Sequence, residues 1–241
     1  MAEFAIKKLR ILRDKSALAG LPEGKLLINT INAHSYNTAR KDKLLAEALQ
    51  QGDVLIPDGQ SIVWASKRLH PKEMQVRERC AGWDLFMSEM GRLTAKGGRC
   101  MFLGSSPEVL EKIRLRAASD YPSIETVTFS PPYKKEFSAE DSAAMVAAVN
   151  AADPDLLWIG MTAPKQEKWT WAHWKELDIH CHCGCIGAVF DFYAGTVKRA
   201  PESWQKAGFE WLYRFLSDPA RLWKRYIIGN AAFIFNILRE K

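Results

Sequence analysis

The sequence predicts an α/β fold: a Rossmann-like, mostly parallel sheet flanked by helices, followed by a helical appendage rich in basic and aromatic residues. Three observations predict it. Short apolar runs alternate with helical patterns from Lys25 to Ile186, the rhythm of strands joined by helical crossovers. Most of the runs are continuously apolar, as strands covered on both faces are. The stretch Thr196–Lys241 then breaks the rhythm and carries +5 of the chain's net charge of +6.

Lys25–Ile31 reads as a buried strand and Tyr36–Gln50 as a helix with Leu44, Leu45, Ala48 and Leu49 on its apolar face. Asp53–Ile56 is a short strand, Ser61–Leu69 and Trp83–Leu93 are helices, and Arg99–Leu103 is a strand. Ser106 can cap the next helix, with Pro107 in its first turn. Ile124–Phe129 is a strand, Ala139–Ala151 a helix, Asp155–Met161 a strand, Pro164–Trp174 a helix and Ile179–Ile186 a strand. The chain therefore divides into a sheet domain, 1–195, and an appendage, 196–241.

In such sheets ligands sit beyond the carboxyl ends of the strands. That rule selects Asn29–Asn32, Pro57–Gly59, Gly104–Ser106 and Gly160–Gln166. Each can be an ordinary polar turn; four at one edge favour a site. Asp58 is the sharpest. Pro-Asp-Gly is a turn signature in its own right, yet a carboxylate on a short stiff turn in a cleft can also act as a general base.

Composition is that of a globular protein, 47% hydrophobic and 26% charged. The first residues show no apolar signal segment, and no run approaches the ~18 apolar residues of a spanning helix. A cytoplasmic protein, able to lie on a membrane but not to cross it, is expected. Five cysteines, an odd number, do not suggest a disulfide framework.

The appendage holds nine Lys/Arg, four Asp/Glu and nine aromatic residues. On a helix, Trp204, Gly208, Trp211 and Phe215 share a face, widened by Phe209, Leu212 and Leu216, with Lys206, Glu210, Tyr213, Arg214 and Ser217 opposite. Asp218-Pro219 starts a second helix, on which Arg221, Lys224 and Arg225 fall together. A docked amphipathic pair and an interfacial membrane segment both fit, and both hold if the pair presents its basic face to lipid phosphate.

Two clusters imitate metal sites. Cys181, Cys183 and Cys185 alternate with His180 and His182, so on a strand the thiols face one way and the imidazoles the other, unlike recognised zinc spacings. Asp153-Pro154-Asp155 resembles a metal-binding motif of sugar transferases but precedes its strand, at the wrong end of the sheet. No metal is expected.

Several blocks resemble the WecG/TagA/CpsF family of bacterial glycosyltransferases: Thr30–Ala33, Ile56–Ala65, Arg79–Leu85, Gly160–Glu167, Gly187–Phe192, and Val197–Pro201 running through Phe209–Arg214. The similarity covers roughly residues 25–230, and the Pro-Lys-Gln-Glu and Lys-Arg-Ala-Pro blocks are very specific. The resemblance implies a metal-independent inverting transferase. It would move a hexose or N-acetylhexosamine from a UDP-sugar to a saccharide on undecaprenyl diphosphate, at the cytoplasmic membrane face, in cell-surface polysaccharide synthesis. It makes Asp58 the base, with Thr30 and Asn32 beside it. It places Gln166 and Asp191 in the nucleotide pocket, with Pro164, Lys165 and Gly104 around them and Arg79 and Asp84 as substrate-binding candidates. Tail arginines matching Arg214 and Arg221 would bind the diphosphate. A third family arginine falls on Lys224, with Arg225 adjacent, and lysine offers a point charge in place of a planar fork.

One carboxylate suffices for inverting displacement, whereas glycosidases use two. The departing UDP needs cations, which the tail carries. Two other classes compete. A Rossmann oxidoreductase lacks its G-x-G-x-x-G here. A nucleic-acid binder fits poorly with a neutral sheet domain and a largely apolar tail face. A homo-oligomer is compatible with the sequence.

Overall fold

The computed structural model describes residues 4–201, 203–204, 208 and 210–240, with the side chains at 214, 217 and 221 outside that description. Six strands form one parallel sheet: β1 Leu26–Ile31, β2 Val54–Pro57, β3 Gly98–Gly104, β4 Ile124–Phe129, β5 Leu156–Gly160 and β6 His182–Cys185. Their order is β2-β1-β6-β5-β3-β4. The helices are α1 Ala33–Ala39, α2 Lys43–Gln51, α3 Gln60–Leu69, α4 Gly82–Lys96, α5 Pro107–Asp120, α6 Ala139–Ala152, α7 Lys165–His173 and α8 Val189–Tyr193. In the tail follow α9 Glu210–Ser217, α10 Pro219–Trp223, a π-helical turn Lys224–Ile228 and α11 Gly229–Arg239.

Alternation along β3 shows why the strands read as continuously apolar. Cys100 and Phe102 pack with Leu85 and Phe86 of α4 and Ile113 of α5; Met101 and Leu103 pack on the other face with Met145 of α6 and Trp169 of α7. A third cluster joins Phe4, Ile6 and Leu9 of the N-terminal segment to Tyr36 of α1, Leu45 of α2, and Phe233 and Ile237 of α11. The end of the tail is thus part of the packed body.

Four expectations need correction. The single helix expected over Tyr36–Gln50 is two, because the Asp42 carboxylate accepts the Leu45 N–H and starts α2 afresh. The last strand is shorter than Ile179–Ile186. The tail helix is not continuous from Trp204: Gly208 sits at φ 78°, a left-handed turn that ends helical geometry, and α9 starts only at Glu210. Lys206 and Phe209 lie outside the described residues. Glu210 was expected on the solvent face but is buried, whereas Leu216 of the expected apolar face is exposed. The Ser106 cap forms as expected, accepting from Val109 N–H with Pro107 in the first turn.

β3 and β5 end side by side at Gly104 and Gly160. A Cβ on Gly104 would lie 2.4 Å from the Gly160 carbonyl oxygen, and one on Gly160 would lie 2.4 Å from the Phe190 ring. Phe190 is buried and cannot yield, so Gly160→Ala should destabilise the fold by about 1–3 kcal/mol, the cost of overpacking. Thermal unfolding measures it; an unchanged midpoint would show that this junction is not close-packed.

Candidate active site

The helix after β3, α5, packs on one face of the sheet, and the helix after β5, α7, packs on the other. The crevice that ligands occupy in such folds falls between strand ends where the crossovers diverge in this way; here that place is bordered in the chain by Gly104–Ser106, Gly160–Gln166 and Gly187–Asp191. Ser105 has a left-handed backbone (φ 59°), and its carbonyl accepts from Ser130 Oγ at 2.9 Å.

Within this crevice Gln166 is buried. Its Oε1 accepts from Met161 N–H at 3.2 Å, and its Nε2 donates to Glu167 Oε1 at 2.8 Å. Gln166 also lies under Gly187, so it joins the loop after β5 to the loop after β6. The Ala163–Pro164 peptide is cis, and Pro164 stands immediately before α7. Lys165 Nζ donates to the Lys134 carbonyl at 2.5 Å and lies 3.5 Å from the centre of the Phe137 ring, which ties it to the 134–137 loop. Burial lowers its pKa against the pull of Asp141. Asp191 holds the turn that leaves α8, accepting from Thr196 through its backbone oxygen at 3.1 Å and through Oδ1 at 3.4 Å.

Asp58 stands at the same carboxyl edge, after β2, with β1 and β6 between β2 and β5. Register pairs Thr30 with Ile56 and Ile31 with Pro57. The Asp58 N–H donates to Ile31 O at 2.8 Å, pinning the turn after β2 to the end of β1. Gly59 then adopts φ 142°, a conformation that L side chains rarely take, and α3 begins. Asn32 is committed to capping: Oδ1 accepts from His34 N–H and Ser35 N–H at 3.0 and 3.1 Å.

Arg79 is the cation of this end. Its Nη1 donates to Glu210 Oε2 at 2.8 Å. Burial would lower its pKa, but Glu210, Asp58 and Asp84 outweigh that and raise it. Arg199 approaches Glu210 Oε1 at 3.5 Å and stacks 5.3 Å from the Trp83 ring. Asp84, by contrast, does fold-building work here: it accepts from Ala81 N–H at 2.8 Å and pairs with Lys15 at 2.9 Å.

The tail returns over this edge at two places. Near Asp58, Gly208 abuts Gln60, and Glu210 meets Arg79. Near the crevice, Arg225 acts electrostatically on His34 of α1 and Glu167 of α7. Lys224 is exposed, whereas Arg225 is half-buried. Arg214 and Arg221 lie on α9 and α10, and their side chains lie outside the described residues. Reading the sequence missed Glu210, Arg199, His34 and Glu167 as participants. Glu210 and Glu167 stand inside the quoted blocks, and the available signal was an acidic residue at a position whose neighbours point inward.

All three thiols of 181–185 are buried in one apolar cluster, and burial raises their pKa values. His182 points to the other face, its Nδ1 3.0 Å from Glu89 Oε2. Asp155 accepts from Arg99 N–H at 2.7 Å, at the amino edge of the sheet. Among the described residues, no three His, Cys, Asp or Glu side chains converge as a metal would require.

The chain thus has a parallel sheet with a carboxylate turn at its carboxyl edge and a basic helical tail packed against the sheet domain. The chain belongs to the Glycosyl transferase WecG/TagA/CpsF family, which it matches over residues 11–241. It is 26% identical over 215 residues to the N-acetylglucosaminyldiphosphoundecaprenol N-acetyl-beta-D-mannosaminyltransferase of Bacillus subtilis strain 168, covering 89% of this chain and 80% of that protein. A protein of the same name from Bacillus spizizenii strain W23 is 32% identical over 200 residues, covering 83% of this chain and 74% of the relative. Membership in a glycosyltransferase family displaces the oxidoreductase and nucleic-acid alternatives.

Proposed function

We propose that the protein transfers a sugar, with inversion and without a metal ion, from a UDP-sugar to a saccharide carried on undecaprenyl diphosphate. The observation that carries this reading is Asp58: a carboxylate held on a pinned turn at the ligand edge, within electrostatic reach of Arg79. The acceptor hydroxyl oxygen forms a bond to the anomeric carbon as the bond from that carbon to the UDP phosphate oxygen breaks. The proton passes to the Asp58 carboxylate, and the electron pair leaves with UDP. Thr30 and Asn32 border the base; Gly104, Pro164, Lys165, Gln166 and Asp191 shape the nucleotide pocket, Gln166 by bracing its floor. Arg79 lies beside the base and organises the tail through Glu210. Arg214, Arg221 and Lys224 meet the diphosphates.

The tail also supplies a membrane face in this reading. No helix among the described residues is long and apolar enough to cross a membrane. The outer side of the last segment exposes Trp223, Ile227, Ile228, Ile234, Phe235 and Leu238. Beside it lies a basic cleft of about 470 Å³, lined by Lys7, Lys8, Arg40 and Arg239 with Glu240. Apolar side chains bordered by cations suit an anionic leaflet, so the protein sits peripherally on the cytoplasmic membrane surface.

Release of UDP from UDP-N-acetylmannosamine, the donor that the relatives' names suggest first, in the presence of an N-acetylglucosaminyl-diphosphate lipid tests the activity. A panel of other UDP-sugars identifies the donor if that one is inert. Transfer should also survive EDTA, because the cationic side chains take the place of a metal at the leaving group. Loss on chelation, restored by a divalent ion, would overturn the metal-independent step.

A further inference from the structure

The first and last segments of the chain close a cleft that the proposed chemistry does not use. It holds about 470 Å³, the size of a small-ligand site, and its polar lining is Lys7, Lys8, Arg40, Asn236, Arg239 and Glu240. Three stretches remote in sequence bring their basic side chains here: the turn Ile6–Lys8, the C-terminal end of α1 and the C-terminal end of α11. Lys7, Lys8, Arg40 and Arg239 are all exposed. A helix C-terminus favours a cation for its own sake, which accounts for Arg40 and Arg239 singly. It does not account for Lys7 and Lys8 meeting them.

Among the described residues one acid lines the cleft, and both of its oxygens are engaged in the frame. Glu240 Oε1 accepts from the Lys7 backbone N–H at 2.9 Å, and Oε2 accepts from the Tyr36 hydroxyl at 2.9 Å. That hydroxyl in turn accepts from Arg40 Nη1 at 3.3 Å. Glu240 thus fastens the N-terminal segment and α1 to the end of α11. The Tyr36 ring is buried behind it, 5.7 Å from Phe4 and 5.2 Å from Phe233 between ring centres. The cations therefore stand on a packed base. They also border the apolar stripe directly: the Arg239 guanidinium lies 4.2 Å from the centre of the Phe235 ring, and Phe235 is exposed together with Ile234 and Leu238. A cationic cleft that runs into exposed apolar side chains matches the order of groups in a phospholipid, phosphate first and acyl chains next.

We propose that this cleft binds one anionic glycerophospholipid of the leaflet, its phosphate among Lys7, Lys8, Arg40 and Arg239 and its acyl chains along Phe235 and Leu238. The two guanidinium groups offer planar forks to phosphate oxygens, and the lysines offer point charges. This rests on the reading of the tail as the membrane face, and adds to it a discrete lipid in place of diffuse attraction. It also gives the N-terminal segment a task. The cleft is separate from the catalytic edge: Asn32 caps the start of α1 there, and Arg40 follows its end here, about 12 Å away at 1.5 Å per residue. The leaflet lipid is thus a second foothold, which fixes how the protein is turned on the membrane.

The test uses full-length protein and dihexanoyl phosphatidylglycerol, kept below the concentration at which it forms micelles. Calorimetry should show one lipid per protein. Glycerol 3-phosphate, with the phosphate but no chains, and dihexanoyl phosphatidylcholine, with the chains but no net charge, should bind far more weakly. Lys7→Gln, Lys8→Gln and Arg40→Gln combined should weaken lipid binding on the order of hundredfold, as the loss of three nearby charges does. Lys67→Gln, Lys112→Gln and Lys175→Gln combined remove as much charge from exposed positions on the sheet domain, and should change it by about twofold at most, because salt screens distant charges. A phosphatidylglycerol with a photoreactive acyl chain locates the site without any variant: in wild type the label should fall within 4–9, 36–40 or 229–240. Binding unchanged in the cleft variant, equal loss in both variants, or a label confined to other segments overturns the proposal. Glycerol 3-phosphate binding as tightly as the lipid overturns it too, by making the cleft a site for soluble phosphate. Binding of wild type to anionic vesicles is measured in parallel. A protein that binds vesicles but not the short lipid refutes the cleft and spares the membrane face; one that ignores vesicles refutes the membrane face.

Discussion

Asp58→Asn should leave the protein folded and able to bind UDP while transfer falls by about 10²–10⁴-fold, the usual worth of a general base. The amide keeps the shape of the turn, because the bond that pins it runs from the Asp58 backbone N–H to Ile31 O and not from the side chain. What is lost is the basic carboxylate that takes the acceptor proton. Arg79 also loses a neighbouring charge but keeps its pair with Glu210 at 2.8 Å, so the tail should stay in place. Single-turnover transfer with UDP affinity measured in parallel separates the two effects. Activity within a few-fold of wild type would remove Asp58 from the chemistry.

The second large effect is expected from the tail. Removing residues 196–241 should release the protein from anionic liposomes and nearly abolish transfer. Truncation also uncovers Tyr36, which Phe233 meets edge-on in a buried cluster, so part of the loss will be stability. Point changes divide the roles. Replacing Ile234, Phe235 and Leu238 by Glu should detach the protein from liposomes while preserving transfer to a soluble acceptor analogue. All three side chains are about half exposed, on the side of α11 away from Phe233 and Ile237. Arg214→Ala and Arg221→Ala should do the reverse, slowing transfer strongly while weakening liposome binding only modestly. A single basic residue near an anionic leaflet is worth about 1 kcal/mol, and the tail has nine. Normal transfer by the truncated protein would make the tail only an anchor and move leaving-group stabilisation to the sheet domain.

The parts legible in the sequence are those fixed by neighbours along the chain. The strands at 26–31, 98–104 and 156–160 are apolar runs, and the Ser106 cap follows from local chemistry. Asp58 was visible because Pro57 and Gly59 flank it. The break between α1 and α2 is not legible, because Arg40, Lys41 and Asp42 continue a helical pattern without Gly or Pro. Glu210 was placed on the solvent face by periodicity alone. Its true direction is set by Arg79, 131 residues earlier. Arg225 is similar: three basic residues at helical spacing suggest one basic face, yet Lys224 is exposed while Arg225 turns inward near His34 and Glu167. The π-helical turn at Lys224–Ile228 changes the spacing on which that suggestion rests. Contacts of this kind depend on tertiary packing, which no local pattern encodes.

The most direct measurement of the central claim is UDP release by full-length protein on anionic vesicles carrying an undecaprenyl-diphosphate-linked saccharide, with UDP-N-acetylmannosamine and other UDP-sugars as donors. The account predicts that one donor gives acceptor-dependent UDP release, with a product of inverted anomeric configuration, and that Asp58→Asn suppresses it. UDP release that ignores the acceptor, a retained configuration, or no turnover with any UDP-sugar would contradict it.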